Sequence, residues 1–466
     1  MTVAMTDDRS LAGSSDLPNT GGHIHLMGIA GAGMRGLGVL LQHAGFVVSG
    51  CDSAGTTGLT DLVECGISVE TGHDPTHIRL ADLLVRSSAV SIDADEVVAA
   101  QKHRVAVMRR ARAMGALLNN RTVVGVAGTH GKTTITGMAG QAAESAGIDP
   151  IVLVGGYMPV WGGFARAGSG PAIVEADEYD RSFLELDPAL AIVSSLESEH
   201  LDIYGDFEGV YRAFVEFAER SKDEMGLVYC ADDAGARSLA TSIGSGLSYG
   251  FAEDAWCQVK RLGPSSCQFF WPDGSVRVNL RVPGRHNQQN AAAAFTAALI
   301  LGGDPAAIVR GLEMFAGAGR RLEILGTWGH LTVVDDYAHH PTEVTASLIA
   351  LRDAFPDARL HVIFQPHLFT RTRDFAGEFA IALGEADESW VLPVYPAREK
   401  PIDGVSEKLI VDLGGPSVVA IDRESADRLC DSQPKNPTVL VFMGAGDVTT
   451  LAHGVAKRVA GDAMGE

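Results

Sequence analysis

Residues 122–136 read T-V-V-G-V-A-G-T-H-G-K-T-T-I-T, an apolar β-branched run followed by a glycine loop and then a Thr-rich segment. Thr122–Ala127 fits a buried strand, and Lys132 falls where a helix should begin. Successive loop N–H groups in such a turn can cradle phosphates. Lys132 would reach the β and γ oxygens, and the Thr133 hydroxyl would ligate Mg²⁺. Gly128, Thr129, Gly131, Lys132, Thr133 and Thr134 are therefore the expected ATP-binding loop. Its spacing departs from G-x-x-x-x-G-K-[ST], with Val126 at the first glycine position, Gly125 one residue early and Gly128 inside. A glycine turn before a Thr-capped helix would not require a lysine between Gly131 and Thr133.

Working outward, short Val/Ile runs alternate with Ala/Leu-rich helical segments, the pattern of parallel βαβ units, so the fold class is α/β. Upstream, the apparent strand His23–Ile29 enters G-I-A-G-A-G-M-R-G, in which Gly31, Gly33 and Gly36 form G-x-G-x-x-G. A helix N-terminus there would accept a diphosphate. Asp52 lies 52 − 31 = 21 residues beyond Gly31, at the end of the next strand, where a carboxylate can bind a ribose hydroxyl. Any nucleoside diphosphate satisfies the same physics. Downstream, Ala172–Val174 leads into Glu175, Asp177, Glu178 and Asp180, hard oxygen ligands suited to Mg²⁺. A further strand, Ala191–Ser194, leads to Glu197, Glu199 and His200, which is either a loop histidine or a metal neighbour. Further restarts, near Asn119–Arg121 and after Ala316–Gly319, predict strands at Leu322–Leu325 and Leu331–Val334 around a turn at Trp328 and Gly329. Strands at Leu360–Phe364, Glu388–Leu392 and Thr438–Met443 follow.

The length of 466 residues suggests roughly three domains. Lys plus Arg number 37 against 58 Asp plus Glu, and this net charge of −21 argues against nucleic-acid or membrane-surface binding. Six cysteines, Cys51, Cys65, Cys230, Cys257, Cys267 and Cys430, lack zinc-like spacing and are expected to be reduced, buried thiols. The polar residues 1–22 suit a loose tail better than a signal peptide, and no apolar stretch approaches the ~20 residues that span a bilayer. A cytoplasmic location is expected.

The two loops, E-A-D-E-Y-D at 175–180 and S-E-H-L-D-I-Y at 198–204 resemble the Mur ligases. P-G-R-H-N-Q-Q-N-A-A-A-A at 283–294, G-R-R-L-E at 319–323, D-D-Y-A-H-H-P-T-E-V at 335–344 and F-Q-P-H-L-F-T-R-T-R-D-F at 364–375 narrow the resemblance to the alanine-adding branch. It covers nearly all the chain from His23 onward. It implies three domains: a UDP-sugar domain over 23–120, a central ATP domain over 121–319 and a Rossmann-like domain over 320–466 that closes with the amino acid. It also implies an ATP-dependent ligase, with Mg²⁺ or Mn²⁺, that joins L-alanine to the lactyl carboxylate of UDP-N-acetylmuramate. The rivals are a recycling ligase that attaches a tripeptide to the same sugar, and a non-catalytic NAD/ATP sensor.

By the same resemblance Asn290 would contact adenine, Arg321 the phosphates or ribose, and Asp336 the ribose. Asn287 and Asn290 are equally suited to capping a helix, and Arg320 and Arg321 to forming a solvated basic patch. Thr133, Glu175 and His200 would hold metal, with Lys132 spreading the charge of the transferring phosphoryl group. His339 and His340 are candidate bases for the amine, although one could cap a helix at Pro341. Arg371 or Arg373 would clamp the amino-acid carboxylate, with His340 nearby. The UDP end would rest on Gly28, Gly31, Gly33, Met34, Asp52 and Ser53, with His73, Ser87 and Ser88 completing the rim. Several Mur ligases carry a carbamylated lysine after the metal-binding histidine, but Tyr211–Arg220 contains no Lys.

Overall fold

The computed structural model describes residues 17–463 apart from 54, 56, 57, 198, 398 and 430–433. Residues 1–16 of the expected tail and Cys430 lie outside the described residues. The chain has three α/β domains, each built on its own sheet. The first sheet has the order Ser68–Thr71, Val47–Asp52, His23–Met27, Leu83–Arg86, Ala106–Arg109, all parallel. The second has ten strands: Gly274–Asn279, Ser266–Trp271, Cys257–Arg261, Leu247–Gly250, Gly226–Cys230, Leu190–Val193, Val123–Ala127, Ala172–Glu175, Ile151–Met158 and Gly163–Arg166. The third has the order Glu323–Trp328, Leu331–Asp336, Thr438–Met443, Arg359–Phe364, Glu388–Val391, Val418–Ala420. By packing, the chain forms two units. One runs to Lys260 and takes in Phe269–Val278 and Gln289–Phe315, and the other comprises Arg261–Gln268, Asn279–Gln288 and the chain from Ala316.

Every residue of Val123–Ala127 is buried, as in a parallel sheet covered on both faces. Its neighbours, Leu190–Val193 and Ala172–Glu175, come from later in the chain and lie on opposite sides. The sheet order therefore reverses at the strand that carries the phosphate loop. In open parallel sheets this is where ligands bind, beyond the carboxyl ends of the strands.

Three expectations are corrected. The hairpin turn lies beyond Trp328, which belongs to the strand and pairs with Leu331. Asn287 and Asn290 cap nothing, since the helix Arg285–Ile300 starts ahead of both. Cys65 is only partly buried, whereas Cys51, Cys230, Cys257 and Cys267 are buried thiols. No helix among the described residues is long and apolar enough to cross a membrane.

Within the first unit, the helix Ala32–His43 packs against the strands Ile151–Met158 and Gly163–Arg166. Gly36, the third glycine of the first loop motif, makes this approach possible. A Cβ there would lie 2.4 Å from Leu153 Cδ1 and 2.9 Å from the Phe164 carbonyl oxygen. Gly36→Ala should therefore cost about 1–3 kcal/mol through overpacking against backbone. Thermal melting should show a fall of several degrees, and an unchanged midpoint would mean that this contact can relax.

Candidate functional site

The phosphate loop is held open by the adjoining strand end. Thr129 N donates to Ser195 O at 2.9 Å, His130 N to Ser195 Oγ at 3.1 Å, and Glu197 N to Thr129 Oγ1 at 2.9 Å. Gly128 and Gly131 have φ of +130° and +83°, and a Cβ on Gly128 would stand 2.1 Å from Ser194 Oγ. Only glycine fits such backbone. Gly131 is the N-cap of Lys132–Ser145, whose first N–H groups receive no side-chain cap. Bare donors at a helix N-terminus suit an anion. Gly125 lies outside the cradle. It is a strand residue, and a Cβ on it would meet the Phe217 ring at 2.7 Å.

Lys132 Nζ donates to Gly128 O at 2.7 Å and pairs with Glu178 Oε2 at 2.8 Å. Burial pulls the ammonium's pKa down, but Glu178, Asp177 and Glu175 outweigh it and raise it above the ordinary lysine value. Burial likewise pushes Glu178 above the usual carboxylate range, with Lys132 opposing and Asp177 assisting. Beside them, Thr133 Oγ1 donates to Glu175 Oε1 at 2.9 Å, and Gly155 N to Glu175 Oε2 at 2.6 Å.

His200 falls in a different group from Glu175. Its Nε2 lies 3.8 Å from both Glu178 Oε1 and Glu199 Oε2, and ligand atoms of these three residues lie within 4.8 Å of one another. A backbone φ of +55° turns His200 inward, where its side chain is 21% exposed, so it is not a loose surface histidine. The expected trio is thus split into Thr133 with Glu175, and His200 with Glu178 and Glu199. Glu178 bridges from the lysine to the second group. Sequence reading counted Glu178 among the Mg²⁺-type carboxylates but chose Glu175 for the metal, and E-A-D-E held no cue to choose between its glutamates.

Asn290 is buried in the first unit, with Oδ1 2.7 Å from where a Gly131 Cβ would stand, so it borders the cradle. At the other glycine loop, Gly28 N and Ile29 N both donate to Cys51 O, at 2.9 and 3.1 Å. Asp52 Oδ2 accepts from Ala30 N at 2.9 Å, so part of this carboxylate is used on the loop itself. Gly31 caps Ala32–His43 without a side-chain bond. Met34 is buried and its N–H donates to Gly31 O, leaving little of it to face a ligand. Ser87 N donates to Met27 O at 3.0 Å at the neighbouring strand end, and Ser53 and Ser88 are exposed. His73 Nδ1 stands 3.1 Å from Cys51 Sγ. Arg110 escaped sequence reading: its Nη1 lies 2.9 Å from where a Gly33 Cβ would be, aimed at the loop. The signal was R-R-A-R at 109–112, a basic cluster in an acidic chain.

In the second unit Arg320 and Arg321 are not a solvated patch. Both guanidinium groups lie over the Tyr337 ring, at 4.9 and 5.0 Å from its centroid. Arg320 also donates to Gly444 O at 2.5 Å, and Arg321 Nη1 lies 3.6 Å from Glu343 Oε1. His339 Nδ1 lies 2.9 Å from Tyr337 O, and its N–H donates to Glu343 at 3.1 Å. His340 is buried at the N-cap of Pro341–Ala354 without a side-chain capping bond, its ring edge-on to Phe375 at 5.0 Å. Arg371 and Arg373 are the third and fifth residues of the helix Phe369–Leu383. Arg373 is exposed and bonded to its neighbour Asp374 at 2.7 and 3.0 Å, whereas Arg371 is half-buried. Asp336 is 3% exposed, and its Oδ2 has no hydrogen-bond partner among the described residues. Burial pushes its carboxyl up to about 6, against the Ser347 hydroxyl and the Arg321 charge.

A glycine-rich loop of P-loop type at a sheet's switch point, beside two groups of metal-type side chains in a chain of three α/β domains, defines a multidomain protein of the P-loop class. The chain belongs to the Mur ligase family. Family models match as the Mur ligase catalytic domain over 23–122, the Mur ligase middle domain over 126–298 and the Mur ligase glutamate ligase domain over 320–446. A UDP-N-acetylmuramate–L-alanine ligase of Paenarthrobacter aurescens is 41% identical, covering 97% of this chain and 99% of that protein. Its counterpart from Kineococcus radiotolerans is 43% identical over 94% and 96%. Among solved structures, the UDP-N-acetylmuramate–alanine ligase of Thermotoga maritima has a TM-score of 0.80 and 27% identity, covering 94% of this chain and 99% of that one. A murein peptide ligase from Psychrobacter arcticus shares the fold, with a TM-score of 0.70 at 23% identity and 94% and 99% coverage.

The raised pKa of Asp336 has a stability consequence. A carboxyl that titrates near 6 when folded, against 3.8 unfolded, stabilises the fold below 3.8 and loses that stabilisation as pH rises through 6. Above pH 6 the buried charge costs up to about 3 kcal/mol. Asp336→Asn should therefore raise the melting temperature at pH 8, with the gain gone near pH 4. Equal gains at both values would contradict the burial argument.

Proposed function

We propose that this chain is an ATP-dependent amide ligase that joins L-alanine to the lactyl carboxylate of UDP-N-acetylmuramate through an acyl phosphate, in peptidoglycan precursor synthesis. The observation that carries this reading is the pairing of a P-loop lysine with two groups of metal-type ligands at one sheet switch point. Whole-length relatives named for this reaction, at 41 and 43% identity, supply the substrates. The proposed division is 23–120 for the sugar nucleotide, 121–319 for ATP and 320–466 for the amino acid and closure, in the cytoplasm.

A carboxylate acylates amines poorly because its oxide is a poor leaving group, so the acid must be phosphorylated first. The cradle fits a polyphosphate: Gly128 and Gly131 leave no room for a Cβ, and the helix N–H groups beyond them are uncapped. Hydroxyl, carboxylate and imidazole donors fit Mg²⁺ or Mn²⁺, which Thr133 and Glu175 would hold on one side and Glu178, Glu199 and His200 on the other. When bound, such ions supply Lewis-acid charge neutralisation between two anions. Lys132 would leave Glu178 and Gly128 O to follow the transferring phosphoryl group. Asn290 would meet adenine, and the unpartnered Asp336 oxygen and Arg321 would meet ribose and phosphate. Gly28, Gly31, Gly33 and Arg110 would hold the UDP diphosphate. Arg371 or Arg373, both on the helix Phe369–Leu383, would take the amino-acid carboxylate, and His339 or His340 the amine proton.

Phosphate release from ATP should require both UDP-N-acetylmuramate and L-alanine, and Lys132→Ala should lower turnover by about 10²–10³-fold. Glu178 can take up a proton when its partner is lost, so the variant should still melt cooperatively. Equal turnover with a free tripeptide would reassign the acceptor, and unimpaired Lys132→Ala would remove the phosphate-loop reading.

A further inference from the structure

A second group of metal-type side chains lies in the first domain, apart from the phosphate loop. His25 from the central strand, Cys51 from the end of Val47–Asp52, His77 from the short helix His77–Leu80 and Glu96 from the helix Asp95–His103 converge on one point. One donor atom from each lies within 4.8 Å of all the others. His25 Nε2 is 3.4 Å from Cys51 Sγ, Cys51 Sγ is 3.2 Å from Glu96 Oε2, and His77 Nδ1 is 2.5 Å from Glu96 Oε1. His25, Cys51 and Glu96 are buried, with Glu96 0% exposed.

From this geometry we propose that His25, Cys51, His77 and Glu96 form a structural site for a zinc-type divalent transition ion. With metal–nitrogen and metal–sulfur bonds of about 2.0 and 2.3 Å, ligands on a tetrahedron sit roughly 3.3–3.7 Å apart. The His25–Cys51 and Cys51–Glu96 spacings of 3.4 and 3.2 Å are near that range, and the 2.5 Å between His77 and Glu96 would open by roughly 1 Å on binding. Thiolate with imidazole selects zinc-like ions over Mg²⁺ or Ca²⁺. The outer partners also fit, since ligating imidazoles are usually oriented through their second nitrogen. Ser49 Oγ lies 2.8 Å from His25 Nδ1, and Glu70 Oε2 lies 3.0 Å from His77 Nε2.

Burial, with the neighbouring histidines, lowers His25 to about 3, so its ring is neutral and can offer a lone pair. Burial and Glu96 keep the Cys51 thiol protonated in the metal-free chain. On binding, the S–H bond gives way to a sulfur–metal bond and the proton is released. The ion would tie four separate elements together beside Asp52 and His73, fixing the rim of the sugar-nucleotide domain. It is independent of the ligase assignment.

The full chain, with no histidine tag and stripped by chelator, should be titrated with Co²⁺ as the probe. A tetrahedral cobalt spectrum with a thiolate charge-transfer band, saturating at about one ion per chain, is expected. Cys51→Ser should lose that band, Glu96→Gln and His77→Gln should weaken the titration by at least about tenfold, and Lys132→Ala should keep the band. A wild-type spectrum lacking the thiolate band would overturn the proposal even if every variant failed to fold. So would a band that persists in Cys51→Ser, since another thiol would then be its source.

Discussion

A buried ammonium at the start of a helix is electrostatically misplaced, and the phosphate loop is organised around this constraint. Lys132 is the first residue of its helix, where the backbone dipole is positive and disfavours a cation. The chain resolves the conflict locally, with Glu178 at 2.8 Å and the Gly128 carbonyl oxygen at 2.7 Å. A polyphosphate resolves it better, because it supplies negative charge to the lysine and to the helix end together. Neither partner that Lys132 now holds is covalently committed, so exchanging them for phosphate oxygens costs little reorganisation. Glu178 also stands within reach of His200, which places the lysine's counter-charge and the metal-type ligands in one network.

Sheet topology brings that network together. Thr133, Glu175 and His200 are far apart in sequence, but their strands are adjacent and parallel, so the carboxyl ends of all three fall on one edge. The order reversal at Val123–Ala127 opens a crevice at that edge. The first domain follows the same rule on a smaller scale: His23–Met27 lies between the strands that end at Asp52 and Arg86, and the glycine loop begins where all three stop.

Features carried by contiguous residues were legible in the sequence. The two glycine loops, the strands leading into them and the alternation that marks parallel α/β layers all follow from local spacing. Side-chain commitments were not. That Arg320 and Arg321 stack on Tyr337, or that Asn290 lies inside a helix yet faces Gly131, depends on neighbours that no local pattern names. The group of His25, Cys51, His77 and Glu96 shows the limit most sharply. Its members come from two strands and two helices, at separations unlike any zinc motif, so cysteine spacing gave no sign of it. The Gly125 offset from P-loop spacing has a packing cause, since that glycine serves the Phe217 contact and not the loop.

The two loops differ in how they are prepared for a ligand, and the difference bears on where binding energy arises. At the first, Asp52 already accepts from Ala30 N. Any hydroxyl that bonds to the same oxygen would share or displace an existing bond, which limits the net affinity such a contact could add. Affinity for an anion at this loop would come instead from groups that gain a partner: the uncapped N–H groups after Gly31 and the guanidinium of Arg110 beside Gly33. At the second loop the lysine already has partners, Glu178 and the Gly128 carbonyl oxygen, while Asp336 Oδ2 has no hydrogen-bond partner among the described residues. Burying that oxygen unsatisfied costs stability, and a ligand hydroxyl that satisfies it recovers the cost. A hydroxyl donor placed at Asp336 would therefore gain hydrogen-bond energy there, and an anion placed at Lys132 would gain charge complementarity.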